Sequence, residues 1–430
     1  MSTPAASAGF SFLGSLRPDD WIVCGQAASE PVTLMRQLAA DLRQAPMPVT
    51  LFVGTCLPGS LATAMPDGTR FASYGAMGSA ATLSDRGLLD VVPERYSELH
   101  TAFECGALRA DVVLLQVAPG RDGHRPSLGL TNDYTLAAAS RARLVIAEIN
   151  PQVPWTFGAE LPDTLRIDHW VTSSAPPLEL SAPLEGAVER AIASHVAQVV
   201  PDEATLQMGI GSLPDAALRQ LAGRRRLGIH SGVLGDAALS LIEQGVVTNS
   251  HKGIDVGVSI TNTLIGSAAL YRWCDRNPQV QVRPAGYTHD ARVLARVSKL
   301  QAINSALQVD LTGQVNCEAV GSKHRGGVGG LADFACAARH ASPGGRGIIV
   351  MPATAEGGTR SRIVASIASD PVTIGRADVD TIITEYGVAD LRYATLEQRA
   401  RRLIAIAAPA LRAELESAWR DSIWGRKAWH

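Results

Sequence analysis

Gln207-Met208-Gly209-Ile210-Gly211-Ser212-Leu213-Pro214 runs directly into Asp215-Ala216-Ala217-Leu218. An apolar lead, two glycines and then helix-forming residues read as a strand, a short exposed turn and a helix. Gly209 and Gly211 permit backbone angles closed to other residues, and the bare amides of a helix's first turn carry positive partial charge, so a turn of this kind can hold an anion. The same alternation extends outward in both directions. Upstream, short apolar runs at 49–54, 112–117 and 144–148 are interleaved with helical candidates at 31–44 and 134–142. Downstream come a helix over 186–199, the glycine turn, a strand at 227–229, a helix over 235–243, strands at 347–351 and 379–384, and an amphipathic helical region over 396–419. This pattern predicts an α/β fold of parallel strands and crossover helices. A break at Ala175-Pro176-Pro177 divides it into two open α/β domains, 1–180 and 181–430.

A chain of 430 residues is long for one core and suits two or three domains. Its composition, 46% hydrophobic and 19% charged with a formal net charge of −2, is that of a globular protein and lacks the basic excess of a nucleic-acid surface. The basic clusters at Arg224-Arg225-Arg226 and at Arg399, Arg401 and Arg402 read as solvated charge on helix ends or faces. Cys24, Cys56, Cys105, Cys274, Cys317 and Cys336 show no paired spacing that would suggest a metal or redox site, so free thiols and no bound metal are expected. With no secretory leader pattern and no apolar run of spanning length, the expectation is a cytoplasmic protein without membrane contact. The first fifteen residues, rich in Ser, Ala and Gly, are expected to pack loosely.

Further motifs follow the glycine turn in order: Gly326-Gly327-Val328-Gly329-Gly330, Ala355-Glu356-Gly357-Gly358-Thr359-Arg360-Ser361-Arg362 and Thr384-Glu385-Tyr386-Gly387. With Ile146-Ala147-Glu148-Ile149-Asn150-Pro151, Asn304-Ser305-Ala306-Leu307-Gln308-Val309-Asp310-Leu311-Thr312-Gly313 and Leu396-Glu397-Gln398-Arg399-Ala400, the set resembles the acetyl-CoA hydrolase/transferase family. That family includes 4-hydroxybutyrate CoA-transferases and belongs to the class I CoA-transferases. The resemblance spans about 21 to 411. It implies two related α/β halves around an interdomain site, acyl-coenzyme A as substrate with a small-molecule acceptor, and a homodimer. It also implies that Gly209, Ile210, Gly211, Ser212 and Leu213 face the reacting end of coenzyme A. Gly327, Gly329 and Gly330 would let the pantetheine arm pass, and Phe71-Ala72-Ser73-Tyr74-Gly75-Ala76-Met77-Gly78 would lie near the acyl group.

One position departs from the pattern. The family carries His-Ser/Thr-Glu shortly after the first glycine turn, and its glutamate attacks the thioester, passing through a mixed anhydride to a glutamyl-CoA thioester. Here the segment is His230-Ser231-Gly232-Val233-Leu234-Gly235-Asp236, so Gly232 stands where the nucleophile is implied. The resemblance also implies Lys where Glu356 stands, a change expected to weaken attraction for phosphate or to favour another thioester carrier such as an acyl carrier protein. Other residues offer partial chemistry. His230 and Ser231 flank the gap but point to opposite faces of a strand. Glu318 and Glu385 have counterparts in ordinary members and read as supporting residues; Cys317 shows no activating partner. Room at Gly232 is expected to admit water or an acceptor, with the Gly209 turn amides stabilising an oxyanion and a nearby Glu or His as base. Three readings follow: direct acyl transfer to water or a non-CoA acceptor, carboxylate CoA transfer through a substitute carboxylate, and a silent acyl-CoA-binding or partner subunit.

Overall fold

Two open sheets of largely parallel strands organise the chain. The computed structural model describes residues 10–121, 123–181, 185–209, 211–340 and 342–425. In the first half, β1 (Asp20–Cys24), β2 (Val49–Phe52), β3 (Thr69–Ser73), β4 (Leu89–Val91), β5 (Val112–Val117), β6 (Leu144–Ile149) and β7 (His169–Thr172) form one sheet in the order β4-β3-β2-β1-β5-β6-β7. Every pair in it is parallel. Strands β2, β5 and β6 are buried at every residue. This explains why they read as unbroken apolar runs, since a parallel sheet is covered on both faces. The helices Val32–Gln44 and Thr135–Arg141 fall within a residue or two of their expected positions.

The second half repeats the architecture. Strands β8 (Thr205–Met208), β9 (Gly228–Leu234), β10 (Ser259–Leu264), β11 (Val280–Val282) and β12 (Leu300–Ser305) join Arg346–Val350, Thr381–Thr384 and Gly387–Asp390. Their order is β11-β10-β9-β8-β12 followed by those three in sequence, and only the last pair is antiparallel. Strand β9 is longer than its apolar start suggests and carries His230 to Leu234 within the sheet. The expected helical region near the end splits into Leu396–Ala405 and Arg412–Asp421, with Pro409 opening a short turn between them.

One continuous core joins the halves, drawing on Phe52, Phe103 and Tyr134 from the first and Ile229, Leu264 and Val282 from the second. Polar clasps accompany it. The Asn132 amide donates to the Asn262 carbonyl at 3.0 Å, and the Ser97 hydroxyl donates to the Asp333 carboxylate at 2.9 Å. Two expectations need correction. Phe12 is buried and its amide donates to the Asp41 carboxylate at 2.6 Å, so 10–15 are anchored rather than loose, while 1–9, which the same expectation covered, lie outside the described residues. Arg399 is buried as well: its guanidinium donates to the carbonyls of Thr312 (3.2 Å) and Arg376 (2.8 Å), tying a helix to the loops beneath it. The six cysteines are free thiols.

Asp380 pins the far edge of the second sheet. Its fully buried carboxylate accepts from Arg339, from Arg392 Nε at 2.8 Å and from the Gly347 amide at 3.1 Å. Removing one partner of a buried charge cluster leaves the others uncompensated, at a cost of about 3–5 kcal/mol. Asp380→Ala is therefore expected to lower unfolding stability by about that amount in a urea titration, against near-neutral behaviour for Arg401→Ala, whose ion pair with Glu397 lies at the surface.

Candidate active site

In an open parallel sheet, the two strands whose connections leave in opposite directions part at their carboxyl ends and leave a crevice. The first sheet has this point between β1 and β5, the second between β8 and β12. A cleft of about 350 Å³ collects residues from both places. Gln26 and Ala27 follow β1, Gly209 follows β8, and Ser305 and Ala306 end or follow β12. Tyr74, Met77, Tyr96, Asn262 and Gly326 to Gly330 complete much of the wall.

The floor is a chain of hydrogen bonds. Tyr74 donates to Gln26 Oε1 at 2.7 Å, Gln26 Nε2 donates to the Tyr96 oxygen at 2.7 Å, and Tyr96 donates to Asn262 Oδ1 at 2.9 Å. Burial pushes both tyrosine hydroxyls well above their ordinary range, so they stay protonated and act as donors. At the second switch point, Gln207 and Asn304 bond reciprocally through their amides at 3.1 and 2.8 Å. Each amide nitrogen has a second hydrogen beyond this pair.

The glycine turn begins at the last ladder bond, from the Gly209 amide to the Ile303 carbonyl at 2.8 Å. That bond corrects one expectation: the Gly209 amide is engaged within the sheet and offers no donor to an oxyanion. Gly211 has φ of 120°, a conformation that favours glycine, and Ser212 and Leu213 begin the helix Ser212–Gln220. Ile210 lies outside the described residues.

Strand β9 sets the chemistry. His230 and Gly232 share one face, Ser231 and Val233 the other. Ser231 is fully buried; its oxygen accepts from the Met208 amide at 3.1 Å and faces the Met208 carbonyl at 3.3 Å, so it serves the β8–β9 seam. His230 is buried, and its Nε2 donates to the Thr288 carbonyl at 3.1 Å. This bond places the next residue, His289, beside Gly232. A Cβ built on Gly232 would lie 3.0 Å from His289 Nε2, and one built on Gly330 would lie 2.6 Å from it. Tyr96 and Phe334 close on the same ring, with centroids 4.8 Å away in each case. The expected open space beside Gly232 is thus partly filled by an imidazole. Burial, then the neighbouring His230, holds the His289 pKa down to about 3, so the ring is neutral at working pH.

The other sequence candidates separate by location. Gly327, Gly329 and Gly330 line the cleft, but for different reasons. Gly327 is crowded by the Tyr74 carbonyl, 2.6 Å from an added Cβ, whereas Gly329, at φ of 50°, faces open space. Glu318 lies outside the lining and accepts from the Thr373 hydroxyl at 2.8 Å; Glu385 accepts from the Ala353 amide at 2.8 Å. Glu356 is an exposed residue paired with Arg360 at 3.3 Å. Cys317 lines the cleft, yet burial raises its thiol far above the reactive range. Among the described residues, no Asp or Glu lines the cleft, and no cluster of His, Cys, Asp and Glu suits a metal ion. Sequence reading missed Gln26, Tyr96, Asn262 and His289, and quoted Gln207 and Asn304 within motifs without assigning them a role. The paired amides of Gln207 and Asn304 lie within those motifs, but nothing local to Tyr287-Thr288-His289 signals a site.

Known proteins share the family and the fold of this chain. The model of the acetyl-CoA hydrolase/transferase C-terminal domain matches 266–419. A 4-hydroxybutyrate coenzyme A transferase of Clostridium kluyveri is 41% identical over 331 residues, covering 76% of this chain and 77% of that protein. The crystal structure of RipA from Yersinia pestis superposes with a TM-score of 0.87 at 31% identity, covering 95% of each chain. A 4-hydroxybutyrate CoA-transferase structure from Porphyromonas gingivalis gives a TM-score of 0.77 at 31% identity, again over 95% of each.

The buried histidines dictate an acid response. His230 and His289 are both held near a pKa of about 3, against an ordinary value of 6.5. As pH falls below 6.5 the unfolded chain gains protons on these two residues that the fold excludes, so their contribution to stability drops through that window and levels off near 3. His289→Asn removes one of the two contributions. Its melting temperature is expected to fall less steeply between pH 6.5 and 4 than that of the parent; parallel slopes by calorimetry would contradict the assignment.

Proposed function

The chain belongs to the acetyl-CoA hydrolase/transferase family, and on that premise we propose that it is an acyl-CoA-handling enzyme that transfers the acyl group directly to water or a non-CoA acceptor. In this reading no enzyme carboxylate is loaded with coenzyme A. The observation that carries it is the composition of the cleft: Gly232 occupies the implied nucleophile position, and the described lining contains no Asp or Glu to replace it.

Residues for the remaining tasks are at hand. Gly329 leaves open space for close approach of a substrate arm, and Arg325, ion-paired with Asp85 at 2.9 Å, lines the same cleft. The Gln207 and Asn304 amides supply donors where a thioester oxygen would gain charge, a term often worth several kcal/mol to acyl transfer. The pairing of Glu356 with Arg360 partly neutralises a carboxylate expected near the anionic substrate. Tyr74, Tyr96 and Gln26 give the acyl side a polar but uncharged floor, fitting a short or hydroxylated acyl group.

Carboxylate CoA transfer is a second reading, favoured by the names of the relatives. It requires a carboxylate within reach of the thioester. Incubation with an acyl-CoA panel, with and without acetate, followed by borohydride and intact-mass measurement, separates the two. The expected result is release of free CoA with an unmodified protein mass. An enzyme-bound CoA thioester, seen as a mass increase before borohydride and as a mass below that of the untreated protein after it, when the loaded carboxyl is reduced to an alcohol and CoA leaves, would establish the second reading. Gly232→Glu alone is expected not to restore exchange, because the new Cβ would meet the His289 ring at 3.0 Å; the double variant with His289→Ala is expected to gain acetate-dependent exchange.

A further inference from the structure

We propose that His289 is the general base of this site, and that it commits the enzyme to a protic acceptor, water or a hydroxyl group, in place of a carboxylate. The inference rests on the direct-transfer reading above. Three features of the ring carry it. First, its position: Nε2 is packed between Gly232 and Gly330, and a side chain at either place would collide with it or crowd it. Second, its valence: Nδ1 is 2.8 Å from the Thr288 hydroxyl, which itself donates to the Pro284 carbonyl at 3.4 Å. The base role takes the tautomer in which Nδ1–H donates to the Thr288 oxygen, and this leaves the lone pair on Nε2. Third, its freedom: His289 is only 4% exposed, yet it lines the cleft, and the one side-chain hydrogen bond of its ring among the described residues is made through Nδ1.

A neutral imidazole is useless to a carboxylate acceptor, which arrives without a proton, and useful to water or an alcohol, which must lose one. Nε2 takes the proton as the acceptor oxygen bonds to the thioester carbonyl carbon. The tetrahedral species then collapses, the C–S bond breaks, and the sulfur leaves with the proton returned from Nε2. The products are free CoA thiol and a carboxylic acid or ester, with no redox change. Burial makes the ring a weak base in the empty cleft, but negative charge growing on the carbonyl oxygen stabilises the imidazolium and raises its basicity as the reaction proceeds.

Full-length protein, His289→Ala and His289→Asn should be assayed for CoA release from a panel of short-chain acyl-CoAs, alone and with alcohol or acetate acceptors. Both variants are expected to lose about 10²- to 10⁴-fold in kcat with KM changed less than about threefold. Added imidazole is expected to restore part of the His289→Ala rate and leave the parent unaffected; acetate is expected to have no effect on CoA release. Should His289→Ala fail to fold, His289→Asn, which fills the same space without a basic nitrogen, carries the test. An active parent with variants within threefold of it overturns the role of His289 and leaves direct transfer standing. An acyl group found on His289 in quenched protein overturns the base assignment in favour of a nucleophile. A parent that releases CoA from no thioester in the panel overturns both readings.

Discussion

The hydrogen bond from the Gly209 amide to the Ile303 carbonyl closes the ladder between β8 and β12, and the cleft exists because the ladder stops there. Beyond that bond the two chains diverge, one into the helix Ser212–Gln220, the other into the loop after Ser305. Because the neighbouring strands β8, β9, β10 and β12 are parallel, their carboxyl ends all reach the same rim. The chemistry of that rim is therefore decided by whichever residues happen to end each strand. The first sheet contributes Gln26 and Tyr74 by the same logic, from the ends of β1 and β3.

Within this frame, the site is built by registration at a distance. His230 on β9 holds the Thr288 carbonyl, and the two residues are 58 apart in sequence. The adjoining His289 is then delivered to the side of Gly232, two residues along the strand from His230. Burial keeps both rings neutral, so two imidazoles sit close together without charge repulsion. Lys252, also buried near β9, donates to the Val258 carbonyl at 2.6 Å and is held down to about 7, so this side of the sheet stores several groups in their less charged forms.

Much of the fold was legible because buried parallel strands leave a strong signature. The runs 112–117 and 144–148 correspond to β5 and β6 almost residue for residue, since both faces of each strand are covered. Glycine positions were legible too, but their reasons were not. Gly327 and Gly330 are required by the Tyr74 backbone and the His289 ring, contacts that no local pattern encodes. Arg399 misled because its charge is satisfied by backbone carbonyls, leaving no acidic partner in the sequence to mark it as internal. His289 was invisible for a related reason: its place is set by strand register and a turn, whereas sequence motifs report only neighbours along the chain.

The two glycines that cradle the His289 ring also constrain how such a site can change through successive mutations. An acidic residue arriving at 232 meets an occupied space, and a smaller residue at 289 first leaves the cleft with neither base nor acid. The two steps are thus contingent on one another, and the order in which they occur decides whether an intermediate protein has any chemistry to offer selection. A pair of missing side chains can in this way hold a lineage to one branch of its history as firmly as any bond.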